Sequence, residues 1–247
     1  MKAAADYQRR LLDLQAVDTA LAQVEHRRRT LPETATAQRL HAERGRLAER
    51  VVEAETRVAD LQADADRAEA DIVPVKARRE RNQKRVDAGE IGHPKALSAM
   101  LEEISHLGRR IGDLEDAELE AMEALEGAQA GLADATAAKE RIETELRGVL
   151  VERKAKLATL DAEAATRAAE RSVIAGALPA DLLSLYEKVA EKSGGVGAAL
   201  LRRGRCTGCQ LEATAADLVR YRAAAADEVL RCEECNRILV RTAESGL

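Results

Sequence analysis

The chain has no Phe and no Trp, and its only aromatic residues are three Tyr. A compact core of 247 residues ordinarily fills its volume with large aromatic side chains, so a single large globule is not expected. Proline is scarce, at four residues, and glycine modest, at 15, whereas 50 residues are Ala. With abundant Leu, Glu and Arg, that balance describes long helices. No uncharged run approaches the roughly 18 residues of a membrane span, so no membrane partner is expected. Met1 to Arg10 holds no apolar stretch of the kind a signal peptide needs, and the expected compartment is the cytoplasm. Catalytic groupings are missing too. The four His (His26, His41, His93, His106) stand near no Ser or Cys in a nucleophile pattern and have no metal-pair spacing. There is no phosphate-binding Gly loop, and the carboxylates alternate with Arg as solvated helix faces do. Neither an enzyme nor a small-molecule substrate is expected.

The net charge of −5 argues against a general polyanion binder. It is unevenly spread. Residues 200–247 hold eight Arg, no Lys and seven acids, for +1, which leaves −6 on the remainder.

Helical periodicity is plain over the first 175 residues. Leu14, Val17, Leu21 and Val24 step by three and four. The stripe breaks at Leu31-Pro32, where Thr30 and Glu33 have the spacing of a capping box for a new helix. From Ala37 to Val86 two seams repeat every seven residues, and 12 of their 15 positions are apolar. That is a coiled-coil pattern. Pro74 lies inside it and should kink the helix. The segment 87–94, with Gly89, Gly92 and His93-Pro94, reads as a turn. A further heptad helix then runs from about Lys95 to Ile174. If the two arms form an antiparallel hairpin, pairing positions that sum to 179 sets large residues against small ones, as in Val58/Ala121. A sum of 186 instead puts Ala65 on Ala121 and leaves a gap. On the first register Leu14 to Val24 oppose Ala165 to Ala155, so the first helix continues the arm. The alternative is a first helix that folds back into a three-helix bundle. The hairpin reading gives a rod of about 120 Å, from the ~1.5 Å rise per residue.

All four cysteines fall in the last 42 residues, as Cys206-Thr-Gly-Cys209 and Cys232-Glu-Glu-Cys235 with 22 residues between. In a reducing compartment such a cluster points to metal rather than disulfides. Each pair offers two sulfurs from one tight turn. Gly208 is expected to supply backbone freedom in the first turn and Asn236 a left-handed residue after the second. Four thiolates close a tetrahedral site, so the expected cofactor is one structural Zn²⁺. A zinc tetrathiolate carries two negative charges. Such a metal contributes about 10–16 kcal/mol in small modules, which a module without Phe or Trp needs. Two redox dithiols are the alternative, and no thioredoxin-like strand–helix–strand pattern accompanies them. Between the pairs, Thr214 should cap a helix from Ala215, and short strands should flank the knuckles.

A long helical hairpin, a Gly-rich linker (Ser193 to Gly197), C-x-G-C and then C-x-x-C followed by Arg237-Ile238-Leu239-Val240 resembles the bacterial C4-type zinc-ribbon proteins with an N-terminal coiled-coil hairpin. The resemblance spans essentially the whole chain, though Asn236 stands where Gly is usual and the tip segment is longer. It implies a mainly α fold: a long kinked antiparallel coiled-coil hairpin with a small C-terminal α+β zinc ribbon. Residues 1–175 would be the hairpin, 176–197 a short helix and linker, and 198–247 the ribbon. Some members of that family are described as flagellar regulators or chaperones that contact an alternative sigma factor and messenger RNA.

Two basic clusters are candidate contact surfaces. Lys76, Arg78, Arg79, Arg81, Lys84 and Arg85 place six positive charges in ten residues beside the tip. They suit an acidic partner or phosphate, or they simply pair with Glu102 and Glu103 on the opposite arm. Around the ribbon stand Arg202, Arg203, Arg205 and Arg237, among others. The expected function is a non-catalytic adaptor or chaperone that binds a protein partner through rod and ribbon. The alternative is a nucleic-acid-binding regulator of transcription or RNA that uses the tip and ribbon arginines. Only Tyr221 near the ribbon could stack a base, which weighs against a single-strand platform.

Overall fold

The computed structural model describes residues 1–247. Five helices and four short strands follow one another as α1 (Ala5–Arg29), α2 (Pro32–Asp87), α3 (Pro94–Gly176), α4 (Ala180–Lys192), β1 (Ala198–Arg202), β2 (Arg205–Cys206), α5 (Ala215–Ala223), β3 (Leu230–Arg231) and β4 (Ile238–Val240). The chain divides into two compact units. One comprises Met1–Thr34 with Val151–Leu247, and the other is Ala35–Leu150.

The unit Ala35–Leu150 is an antiparallel helix pair. Its apolar core is thin, as the Ala-rich seams dictate. Leu40, Ala65, Ile72, Ile111, Leu114, Ala135 and Leu146 are the buried apolar residues. At the tip α2 ends in a Schellman turn. Gly89 adopts φ +67°, its N–H donates to Val86 O, and Glu90 N–H donates to Arg85 O. Pro74 is accommodated inside a helix that runs unbroken to Asp87.

The register differs from the expected sum of 179. The ion pairs that cross this unit are Arg39–Glu145, Lys76–Glu115 and Arg78–Glu103, with sums of 184, 191 and 181. A Cβ on Gly108 would lie 3.9 Å from Arg79 Nε, a sum of 187. Leu40 and Ile72 of α2 and Leu114 and Leu146 of α3 are all buried in this unit. The arms are therefore offset by about one heptad from the size-matched layers. Matching large residues to small ones did not decide the register. Small residues, among them Ala54, Gly127, Ala128 and Gly131, help line an open groove of ≈ 530 Å³ between the arms.

In the other unit α1 runs against the C-terminal part of α3 and does not fold back. Asp18 pairs with Arg171 at 2.7 Å and Arg28 with Asp161 at 3.1 Å, and Arg27 and Glu163 also meet. These pairs sum to 189 or 190, so here too the register departs from 179. The capping box is absent. The Thr30 hydroxyl donates to His26 O and closes α1, while the Glu33 carboxylate turns to Lys156. Pro32 itself opens α2, where a missing N–H costs nothing.

Leu11 and Leu14 of α1, Ala175 and Leu178, and Leu182, Tyr186 and Val189 of α4 form one buried cluster. Ala198 of β1 and Ile238 and Val240 of β4 belong to the same cluster, so helices and ribbon share a core. The four strands form one sheet in the order β2-β1-β4-β3, with β1 and β4 parallel and the outer pairings antiparallel. Met1 to Ala3 extends beside the β3 end, where Val229 N–H donates to Met1 O and Ala3 N–H to Asp227 O. No helix is long and apolar enough to cross a membrane.

Candidate metal centre

The two cysteine pairs sit in turns of the same construction. Cys206 N–H donates to Leu211 O at 3.0 Å and Gln210 N–H to Cys206 O at 2.8 Å. In the second turn Cys232 N–H donates to Arg237 O at 2.9 Å and Asn236 N–H to Cys232 O at 2.8 Å. The residue after each second cysteine is left-handed, with φ +66° at Gln210 and +60° at Asn236. Asn236 plays the part expected of it. Gly208 does not, because its φ is not positive, and the first turn takes its left-handed residue at Gln210. Gly208 is needed for close approach instead. A Cβ there would lie 2.6 Å from Arg237 Cδ and 3.0 Å from Ala199 Cβ.

These turns bring the four sulfurs together, each within 4.8 Å of the others. Across the two turns, Cys206 stands 3.9 Å from Cys235 and Cys209 3.8 Å from Cys232. Four sulfurs about 2.3 Å from a tetrahedral zinc ion stand about 3.8 Å apart, so the donor set fits zinc. The spacing is far too long for a disulfide. Burial raises the Cys206 thiol and pushes Cys232 up to about 12. Burial also opposes ionisation of Cys235, but the Arg237 backbone N–H and side chain, with the neighbouring thiols, hold it at about 7. Cys206, Cys209, Cys232 and Cys235 are positioned to hold one metal ion. A closed set of four thiolates gives that ion a structural role. Thr214 caps α5 by accepting Asp217 N–H, and Tyr221 of α5 packs with the cysteines in the ribbon core.

The basic residues divide by partner. At the tip, Lys76 meets Glu115 and Arg78 meets Glu103, while Lys84 bonds Glu80 and Arg85 bonds Glu90. Arg79 and Arg81 are exposed and make no ion pair. Around the ribbon, Arg202 pairs with Glu244 at 3.0 Å and Arg205 with Glu212 at 2.6 Å, and Arg203 is exposed with φ +48°. Arg237 is turned inward. It donates to the carbonyls of Ser193, Val196 and Gly208 at 2.9, 3.2 and 3.2 Å.

One important residue is not among the sequence-predicted sites. Gln15, on the apolar stripe of α1, is buried and accepts from Gly197 N–H at 2.7 Å, while the nearby Tyr186 hydroxyl donates to Asp18 Oδ2 at 2.7 Å. A Gln among the leucines of an amphipathic stripe was the available hint.

Residues 14–194 match the CT398-like coiled coil hairpin domain, and residues 205–239 match the C4-type zinc ribbon domain. The chain is 32% identical over 241 residues to the Mycobacterium tuberculosis protein Rv2229c, covering 98% of both chains. A solved structure from Mycobacterium smegmatis aligns with TM-score 0.82 at 33% identity, covering 98% of this chain and 100% of that one. CT398 from Chlamydia trachomatis shares the fold at TM-score 0.64 and 17% identity, over 96% of this chain and 98% of that one. A helical hairpin matched over residues 14–194, followed by a four-cysteine ribbon, places the chain in the CT398-like coiled-coil hairpin family, with a C4-type zinc ribbon at its C-terminal end.

Proposed function

We propose that the protein is a non-catalytic, cytoplasmic adaptor whose hairpin tip grips an acidic surface of a protein partner, with the ribbon as a second contact surface. The observation that carries this reading is the state of the tip cations. Four of the six are paired within the protein, which leaves Arg79 and Arg81 exposed beside the Gly89 turn. Exposed guanidinium groups without internal partners are free to make bidentate contacts with carboxylates. A metal enclosed by four thiolates offers no open position for a substrate, which favours a structural over a catalytic role. The nucleic-acid reading draws less support, since Arg202, Arg205 and Arg237 already have partners in the ribbon.

The test is capture by chemical crosslinking from an extract of the protein's own cell. Wild type is compared with the Arg79→Glu/Arg81→Glu double variant, with and without ribonuclease. Expected is a ribonuclease-insensitive protein adduct that the double reversal abolishes, with zinc content and helicity unchanged. Capture that survives the reversal, or that vanishes with ribonuclease and falls steeply with salt, would overturn the reading.

A further inference from the structure

We propose that metal occupancy of the ribbon and docking of the ribbon on α1 are coupled through the linker 193–197, with Arg237 and Gln15 as its two grips. The linker sequence, Ser-Gly-Gly-Val-Gly, is that of a hinge, and Gly194 and Gly195 adopt φ of +66° and +87°. It is nevertheless held from both sides. From the ribbon, Arg237 donates to Ser193 O at 2.9 Å and to Val196 O at 3.2 Å. From α1, Gln15 Nε2 donates to Gly195 O at 3.0 Å, and its Oε1 accepts Gly197 N–H at 2.7 Å and Ala198 N–H at 3.3 Å.

Arg237 belongs equally to the metal centre. Its guanidinium also donates to Gly208 O, between the first two cysteines. Its own carbonyl accepts Cys232 N–H. The side chain therefore rests on one knuckle while its backbone closes the other. Its place over the linker is defined only while the two knuckles are held together, which is what four sulfurs around one ion accomplish. Gly208 leaves room for this arrangement, because a Cβ there would meet Arg237 Cδ at 2.6 Å. With the sulfurs released, the knuckles separate, the guanidinium loses its seat, and the Gly194-Gly195 hinge becomes free. Coupling between two sites is reciprocal, so loosening the Gln15 side must weaken zinc binding at the other end.

The experiment measures zinc affinity by competition with a chromophoric chelator, and amide exchange over residues 193–199. Both are measured on wild type, Gln15→Ala and Arg237→Lys. None of the hydrogen bonds of Gln15 goes to a cysteine, yet Gln15→Ala is expected to lower zinc affinity about tenfold, within the range usual for coupled sites. Chelation of wild type should speed exchange of the linker amides at least as much and leave residues 35–150 unchanged. Arg237→Lys keeps the charge but loses the planar fork, and should do the same to the zinc-loaded linker. Wild-type zinc affinity in folded Gln15→Ala, a linker still protected after chelation, or wild-type behaviour of Arg237→Lys in both measurements would each overturn the coupling. If Gln15→Ala fails to fold, the Arg237→Lys and chelation arms decide.

Discussion

The side-chain oxygen of Gln15 accepts the backbone N–H of Gly197 at 2.7 Å, across 182 positions of sequence. The contact joins the first helix to the linker residue that precedes β1, the strand leading to the metal centre. Gly197 admits no side chain. A Cβ there would lie 2.7 Å from the Tyr186 ring and 2.7 Å from the Tyr186 carbonyl oxygen. Gly197→Ala should therefore destabilise the unit that holds the ribbon by about 1–3 kcal/mol, the usual cost of overpacking a buried site. Chemical denaturation followed by the exposure of Tyr186 measures it. An unchanged midpoint would mean that the wedge relaxes freely.

The register of the helix pair predicts where cysteines can bridge the arms. On a sum of 186, Val58 stands opposite Ala128. The double variant Val58→Cys/Ala128→Cys should oxidise to an intrachain disulfide in high yield, and Val58→Cys/Ala121→Cys should not, because a one-heptad offset is about 10 Å along the helix. The two yields are compared by mobility on non-reducing gels. The opposite order would restore the size-matched register.

Replacing one ligand should separate metal from hairpin. Cys232→Ser is expected to lower the zinc content well below one per chain and to loosen the ribbon. Far-ultraviolet ellipticity should fall only slightly, since α2 and the adjoining part of α3 form a unit of their own. Elemental analysis and circular dichroism give the two readings.

The Glu33–Lys156 pair predicts a pH dependence with a definite sign. The hydrogen bond from Lys156, and the Glu33 backbone N–H, hold the Glu33 carboxyl below its ordinary value. The hydrogen bonds it donates to Glu152 and Glu33 hold the Lys156 ammonium above its own ordinary value. The contribution of Glu33 is thus present above the ordinary carboxylate range and is lost as pH falls through its lowered value. That of Lys156 is present below the ordinary lysine range and is lost as pH rises through its raised value. Glu33→Gln should lower the melting temperature at neutral pH, with the difference from wild type vanishing in acid. A difference that is the same at pH 3 and pH 7 would assign the effect to packing.

Much of this structure was legible in the sequence, and the exceptions share a cause. Heptad seams, the tip turn, the Thr214 cap and the four ligands are local patterns, with physics contained in a few neighbouring residues. The hairpin register is not local. With Ala at so many seam positions, the sizes of the facing residues discriminate weakly between registers one heptad apart. The capping-box spacing of Thr30 and Glu33 is overridden because Lys156, distant in sequence, takes the Glu33 carboxylate. The linker 193–197 reads as a hinge from its glycines, and Gln15 and Arg237 hold it only through the fold. Arg237 counted as a contact residue by its charge alone, yet its donors go to three backbone carbonyls.

The four-thiolate centre underlies the ribbon core, the seat of Arg237 and the grip on the linker. X-ray absorption at the zinc edge of the purified full-length protein tests it most directly. Four sulfur scatterers at about 2.3 Å, one zinc per chain and no nitrogen or oxygen shell are expected. A shell of mixed nitrogen or oxygen with sulfur, or two sulfurs per zinc, would contradict the assignment of Cys206, Cys209, Cys232 and Cys235 to a single ion.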